Sequence, residues 1–176
     1  VQDYFENATL KPADTITAIA CLYALPNPNK FMKNITAHLK PNGIFIAQLM
    51  TLHPFIENND LGNICHEHIL YFSYKSLVRL YEQNGLEIYK IVQNEINGGS
   101  YRIYARHYKK GSIKFKEKEY TTDNLKAFFK RIEKNRAKMI CFLISKLPVQ
   151  MPHFYRTTIS EGESIYGYGA STKANT

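Results

Sequence analysis

Cys65-His66-Glu67-His68 places two imidazoles and a carboxylate in three consecutive positions, and Tyr71-Phe72-Ser73-Tyr74 follows with three aromatic rings. An imidazole takes and returns protons near neutral pH, and a neighbouring carboxylate orients the ring or raises its basicity. The chemistry this suits is proton transfer: His68 as general base, Glu67 as its partner, His66 as a further acid–base group. A lone histidine is commonly structural; two flanking a glutamate in a long loop point to catalysis. Metal binding fits less well. Residues 66 and 68 point to opposite sides of an extended backbone, and the helical two-histidine spacing of four is missing. No metal site is expected within this chain.

Other candidates lie to either side. Asn97-Gly98-Gly99 is most simply a hairpin turn, but Ser100 and Arg102 just beyond it are suited to substrate, arginine especially to a diphosphate. Ser164-Ile165-Tyr166 runs into Gly167-Tyr168-Gly169-Ala170-Ser171-Thr172-Lys173, a glycine turn of the kind that opens a βα unit and offers N–H groups to a phosphate. Tyr168, Gly169 and Lys173 are therefore substrate-binding candidates. Ala20, Cys21 and Leu22 end an apolar run, where open α/β sheets place their ligands, and are candidates for cofactor binding. Cys21 reads as a small apolar residue rather than a nucleophile.

The elements that must position these groups follow from periodicity. Thr15–Ala20 is a β-branched, apolar run and reads as a buried strand. Phe31, Ile35 and Leu39 recur at helical spacing, stopped by the turn Lys40-Pro41-Asn42-Gly43. Gly43–Leu49 reads as the next strand. Thr51–Phe72, carrying the His-Glu-His cluster, has no clear period and reads as a long functional loop with short helical pieces. Ser73 caps a helix through Leu77, Leu80 and Tyr81, closed at Asn84-Gly85. Strands Leu86–Glu95 and Ser100–Tyr108 form the hairpin. A helix from Asp123 to Leu147 carries one apolar stripe of Leu125, Phe128, Phe129, Ile132, Met139, Ile140, Leu143 and Leu147, suited to core or interdomain packing. Pro148 and Pro152 bracket a linker.

Alternating strands and helices imply a parallel sheet, and the terminal hairpin adds one reversed strand at or near an edge. The class is α/β. Three parts are expected: 1–110 as part of one domain, 111–150 as a basic connector and long helix, and 151–176 as the start of a second domain. Val1 and the stop after the final glycine turn read as an internal piece of a longer protein.

Composition narrows the function. The net charge of +8 is concentrated in Lys109–Lys118 and Lys126–Lys146, mostly as the solvated face of a helix. No nucleic-acid module is visible, and an anionic small molecule would be drawn by the same field. No apolar run is long enough to span a bilayer, so no membrane partner is expected. The three cysteines are scattered, which suits reduced thiols in the cytoplasm better than a disulfide framework. Oligomeric state has no signature.

Several segments in order resemble the sugar C-methyltransferase family. They are Asp14-Thr15-Ile16-Thr17-Ala18, Leu39-Lys40-Pro41-Asn42-Gly43-Ile44-Phe45, Ile64-Cys65-His66-Glu67-His68, Asn97-Gly98-Gly99-Ser100-Tyr101-Arg102 and Tyr166–Lys173. The first two are generic to class I methyltransferases; the last three are more specific. The resemblance implies the C-terminal half of a class I, Rossmann-like methyltransferase sheet with its antiparallel hairpin, then a long helix and the first βα unit of a second Rossmann-like domain that binds a nucleotide sugar. It places the glycine-rich S-adenosylmethionine turn upstream, and zinc only in a further N-terminal domain. The implied reaction is methylation of a carbon beside a ketone in a nucleotide-linked deoxysugar. His68 matches the family's proposed base and Glu67 a second catalytic or orienting group, and the enolate they generate accepts the methyl group. Some members carry tyrosine where Cys65 stands, and Tyr71 does not occupy the equivalent position. Ala174 replaces a glycine common in the family. The isolated chain is expected to be inactive, with half of the cofactor site absent. Alternatives are a class I O- or N-methyltransferase and a non-catalytic nucleotide-binding protein with a degenerate site.

Overall fold

Ala13–Ile19 forms β1, and its β-branched residues pair in parallel with β2, Leu39–Met50. The strand ends because Ala20 turns into the left-handed region at φ +56°. Between these strands lies α1, Pro28–His38, started by the Asn27 side chain accepting from Lys30 N–H at 3.0 Å and by Pro28 in the first turn. β2 begins four residues earlier than local signals indicate. Ala13 faces Leu39 and Thr15 faces Ile44, so the turn-like Lys40-Pro41-Asn42-Gly43 bulges out of register inside the strand.

The expected loop follows with two helical pieces, α2 at Leu52–Asn58 and a single 3-10 turn at Leu61–Asn63. α3, Tyr74–Glu82, opens on a reciprocal box in which the Ser73 and Ser76 side chains each accept from the other's backbone N–H. β3, Leu86–Asn94, and β4, Ser100–His107, are joined by a tight turn through Ile96–Gly98. The sheet order is β1-β2-β4-β3. β4 is antiparallel to both neighbours and lies inside the sheet, while β3 takes the edge.

One face of the sheet, with Phe45, Ala47, Leu49, Tyr101, Ile103 and Ala105, is buried, together with Phe31, Met32 and Ile35 of α1 and Leu77, Leu80 and Tyr81 of α3. Phe45 and Tyr81 rings meet at 5.9 Å. This burial supplies the main stabilisation of the sheet and its helices.

The structure is a computed structural model that describes residues 5, 10–118 and 120–146. The chain divides into two units, Val1–Lys118 and Glu119–Thr176. Sequence assigns the basic segment from 111 to a connector; up to 118 it is tied into the first unit. Glu87, its side chain 1% exposed, accepts backbone N–H groups of Lys109, Lys110 and Gly111 and the Arg106 guanidinium. Glu117 accepts from Tyr74 N–H at 2.7 Å and from the Tyr101 hydroxyl at 3.0 Å. In the second unit the described element is α4, Thr122–Lys146, capped by Thr121, whose hydroxyl accepts from Asn124 N–H at 3.3 Å. Leu125, Phe129 and Ile140 of its expected stripe are exposed. The linker at Pro148 and Pro152, the second-domain βα unit and its Tyr168, Gly169 and Lys173 lie outside the described residues. No helix among the described residues is long and apolar enough to cross a membrane.

Candidate active site

β1 and β2 run in parallel, so their carboxyl ends lie on one edge of the sheet, and the loop from residue 51 to 72 is pinned along that edge. Leu52 N–H donates to Phe72 O at 2.8 Å and Leu70 N–H to Tyr23 O at 3.0 Å, the latter tying the loop to the single helical turn Leu22–Ala24 after β1. The His-Glu-His cluster sits in a tight turn of this loop, closed by His68 N–H donating to Cys65 O at 3.0 Å.

The turn separates the three side chains. His66, 71% exposed, and Glu67 at the two middle positions point outward, with His66 Nε2 3.9 Å from Glu67 Oε1. His68 returns inward. Its ring lies 4.1 Å, centroid to centroid, from the buried ring of Tyr23, and its Nδ1 lies 2.9 Å from Asn63 O. That carbonyl only accepts, so Nδ1 carries the proton and the lone pair of the neutral ring resides on Nε2. Nε2 meets no hydrogen-bond partner among the described residues. The hydrogen-bond partner of the His68 ring is thus a backbone carbonyl, and Glu67 lies beside His66.

Tyr71 joins the same group, its hydroxyl donating to Asn63 O at 3.0 Å. Burial, with Cys65 nearby, pushes the Tyr71 phenol above its ordinary value; burial, then Cys21, Cys65 and Glu67, does the same for Tyr23. Both therefore stay protonated at neutral pH. Cys65 is buried at the base of the turn. Among the described residues no three histidine, cysteine or carboxylate groups gather closely enough to hold a metal ion.

The remaining candidates are placed as follows. Ala20 is exposed and Cys21 half-buried at the carboxyl end of β1, with exposed Ile19 beside them; Leu22 is packed into the core. Burial raises the Cys21 thiol, which keeps it protonated. Ser100 is buried and donates to Asn94 Oδ1 at 2.7 Å, so its hydroxyl serves the hairpin. Arg102, half-buried, donates through Nε to Gln48 Oε1 on β2 at 2.9 Å. Tyr23 and Asn63 have no marker in the sequence: one is an aromatic after a strand, the other acts through its main chain.

The methyltransferase-domain profile matches residues 2–91, from before β1 into β3, and takes in His66, Glu67 and His68. The chain belongs to the methyltransferase domain family. Among relatives of this methyltransferase domain, C-methyltransferase NovU of Streptomyces niveus is 26% identical over 160 residues, covering 88% of this chain and 37% of NovU. The chain therefore spans little more than a third of that curated relative. Among solved structures, the mitomycin 7-O-methyltransferase MmcR superposes with a TM-score of 0.50 at 13% identity, over 60% of this chain and 33% of MmcR. LepI in complex with SAM gives 0.50 at 9% identity, over 60% of this chain and 29% of LepI. At such identities the likeness is one of fold: the open mixed sheet of Rossmann-like class I methyltransferases.

Proposed function

We propose that the complete protein is an S-adenosylmethionine-dependent C-methyltransferase that methylates a carbon beside a ketone, in a nucleotide-linked deoxysugar. One observation carries the reading: an imidazole at the carboxyl edge of the sheet, held through Nδ1 by a main-chain carbonyl and against an aromatic ring, with its basic Nε2 left open. A carbon-bound proton next to a carbonyl needs such a positioned base, whereas many oxygen acceptors ionise more readily. The likeness to a protein named as a C-methyltransferase supports the same choice.

The carboxyl end of β1 fits part of the cofactor. Ala20 and Cys21 present small side chains and turning backbone, with apolar Ile19 beside them. They would hold part of S-adenosylmethionine, which supplies an electrophilic methyl group when bound. His68 takes the proton; Glu67 and His66 lie beside each other at the outer, exposed side of the turn. Arg102, with donors beyond the one spent on Gln48, suits the anionic part of the substrate.

The test is exchange of the proton beside the substrate ketone with deuterated solvent, followed in the complete protein. His68→Gln should slow it by about 10²- to 10⁴-fold. Exchange at the wild-type rate in that variant would remove His68 from the role of base.

A further inference from the structure

We propose that Asn63 is the positioning residue for His68: its main-chain carbonyl sets the tautomer of the base, and its buried side chain anchors that carbonyl to the β3–β4 hairpin turn. The inference rests on the reading of His68 as base and adds how the ring is kept competent.

A neutral histidine in water prefers its proton on Nε2. Here Nδ1 donates to Asn63 O at 2.9 Å, so the disfavoured tautomer is imposed, and it is the one that leaves a lone pair on Nε2. The imposition is only as firm as the carbonyl. Asn63 ends a single 3-10 turn, Leu61–Asn63, in which its N–H donates to Asp60 O at 3.3 Å. So short a turn would leave the carbonyl free to swing.

The side chain supplies what the turn lacks. Asn63 is 2% exposed, and its amide nitrogen donates both to Asp60 Oδ2 and, at 3.1 Å, to the main-chain oxygen of Asn97. The Asn97 carbonyl has no proton, which fixes which end of the amide faces it. Asn97 itself sits in the left-handed region at φ +54°, within the hairpin turn. Asn58 adds a second tie, donating to Gly98 O at 2.6 Å. The Tyr71 hydroxyl, 3.0 Å from the same Asn63 carbonyl, gives it a second donor and fixes its direction. The base is thereby referred to a hairpin that leads directly into Ser100 and Arg102. Proton abstraction is sensitive to ring placement at the ångström level, and such anchoring is where that precision comes from.

The test uses the complete protein with ¹⁵N-labelled histidine, reading the His68 tautomer by long-range proton–nitrogen correlation, beside the deuterium-exchange rate on the ketone substrate. Wild-type His68 should show the Nδ1–H form. Asn63→Ala should move it toward Nε2–H and slow exchange about 10- to 100-fold, with KM for the ketone unchanged. Asp60→Ala, which removes one of two anchors, should give a mixed tautomer and a smaller loss; it also serves if Asn63→Ala fails to fold. Asp60→Asn, which keeps an acceptor oxygen, should restore the Nδ1–H form. An Nε2–H tautomer in the wild type overturns the proposal, as does a folded Asn63→Ala protein with unchanged tautomer and exchange. A shifted tautomer with wild-type exchange would keep Asn63 as the anchor and remove His68 as the base. Loss of exchange in His68→Gln but in no residue-63 variant would do the reverse.

Discussion

Gly98→Ala combines a strained backbone with a steric conflict at Asp60, and a second glycine lets the two effects be separated. Gly98 has φ +77°, and a Cβ there would lie 1.9 Å from Asp60 Oδ2 and 2.5 Å from Asp60 Cγ. Two penalties follow. The left-handed conformation costs an L-residue about 1–2 kcal/mol. The clash forces Asp60 aside, at about 1–3 kcal/mol by analogy with an overpacked core, and Asp60 holds the Asn63 amide. The total is about 2–5 kcal/mol. Gly85→Ala separates the two terms, because Gly85 has nearly the same φ, +80°, while its added Cβ would meet Thr36 Cγ2 at an ordinary 3.5 Å. Only the backbone term applies there, about 1–2 kcal/mol. Urea unfolding of both variants should therefore show Gly98→Ala less stable than Gly85→Ala by about 1–3 kcal/mol. In the complete protein, Gly98→Ala alone should also slow deuterium exchange at the substrate carbon. Equal destabilisation within about 0.5 kcal/mol, or unimpaired exchange in Gly98→Ala, would refute the packing of Asp60 against the turn and its link to His68.

Other perturbations follow from the same geometry. Burial acts to raise the Glu87 carboxyl, but the N–H groups of Lys110 and Lys109, the Arg106 guanidinium and Gly111 N–H outweigh it and hold the carboxyl at about 2 against an ordinary 4.5. Because the folded value is depressed, its contribution is full above pH 4.5 and disappears as pH falls toward 2; the stability gap between wild type and Glu87→Gln should close over that window, and a constant gap would contradict the cradle. The Tyr81 hydroxyl is buried without a partner among the described residues, so Tyr81→Phe should be neutral or stabilising by up to about 1 kcal/mol in thermal unfolding, and a clear loss would reveal a missing bond.

Local chemistry along the chain was enough to place α1, α3, the hairpin and the long loop between β2 and α3. Asn27-Pro28 and Ser73 cap helices through bonds to residues three positions on, and Asn97-Gly98-Gly99 supplies the positive φ angles the turn uses. These are short-range effects, and the residues that make them are recognisable by type. The interior place of β4 and the early start of β2 depend instead on pairing across the sheet. Thus Lys40-Pro41-Asn42-Gly43, a turn by its own composition, becomes a bulge because β1 pairs on either side of it.

The site divides along the same line. By itself the sequence determined that two imidazoles and a carboxylate occupy a long loop that follows the second strand. It also gave the class of fold, since the alternation of periods is written in residue types. Only the tertiary structure decided which imidazole turns inward, that His68 takes its partner from the Asn63 main chain while Glu67 lies by His66, and that the Ser100 hydroxyl is spent on Asn94. The reason is physical. A carbonyl is carried by every residue, so its use as an anchor leaves no mark in residue identity, and the direction of a side chain in a turn is set by contacts made far away in the chain.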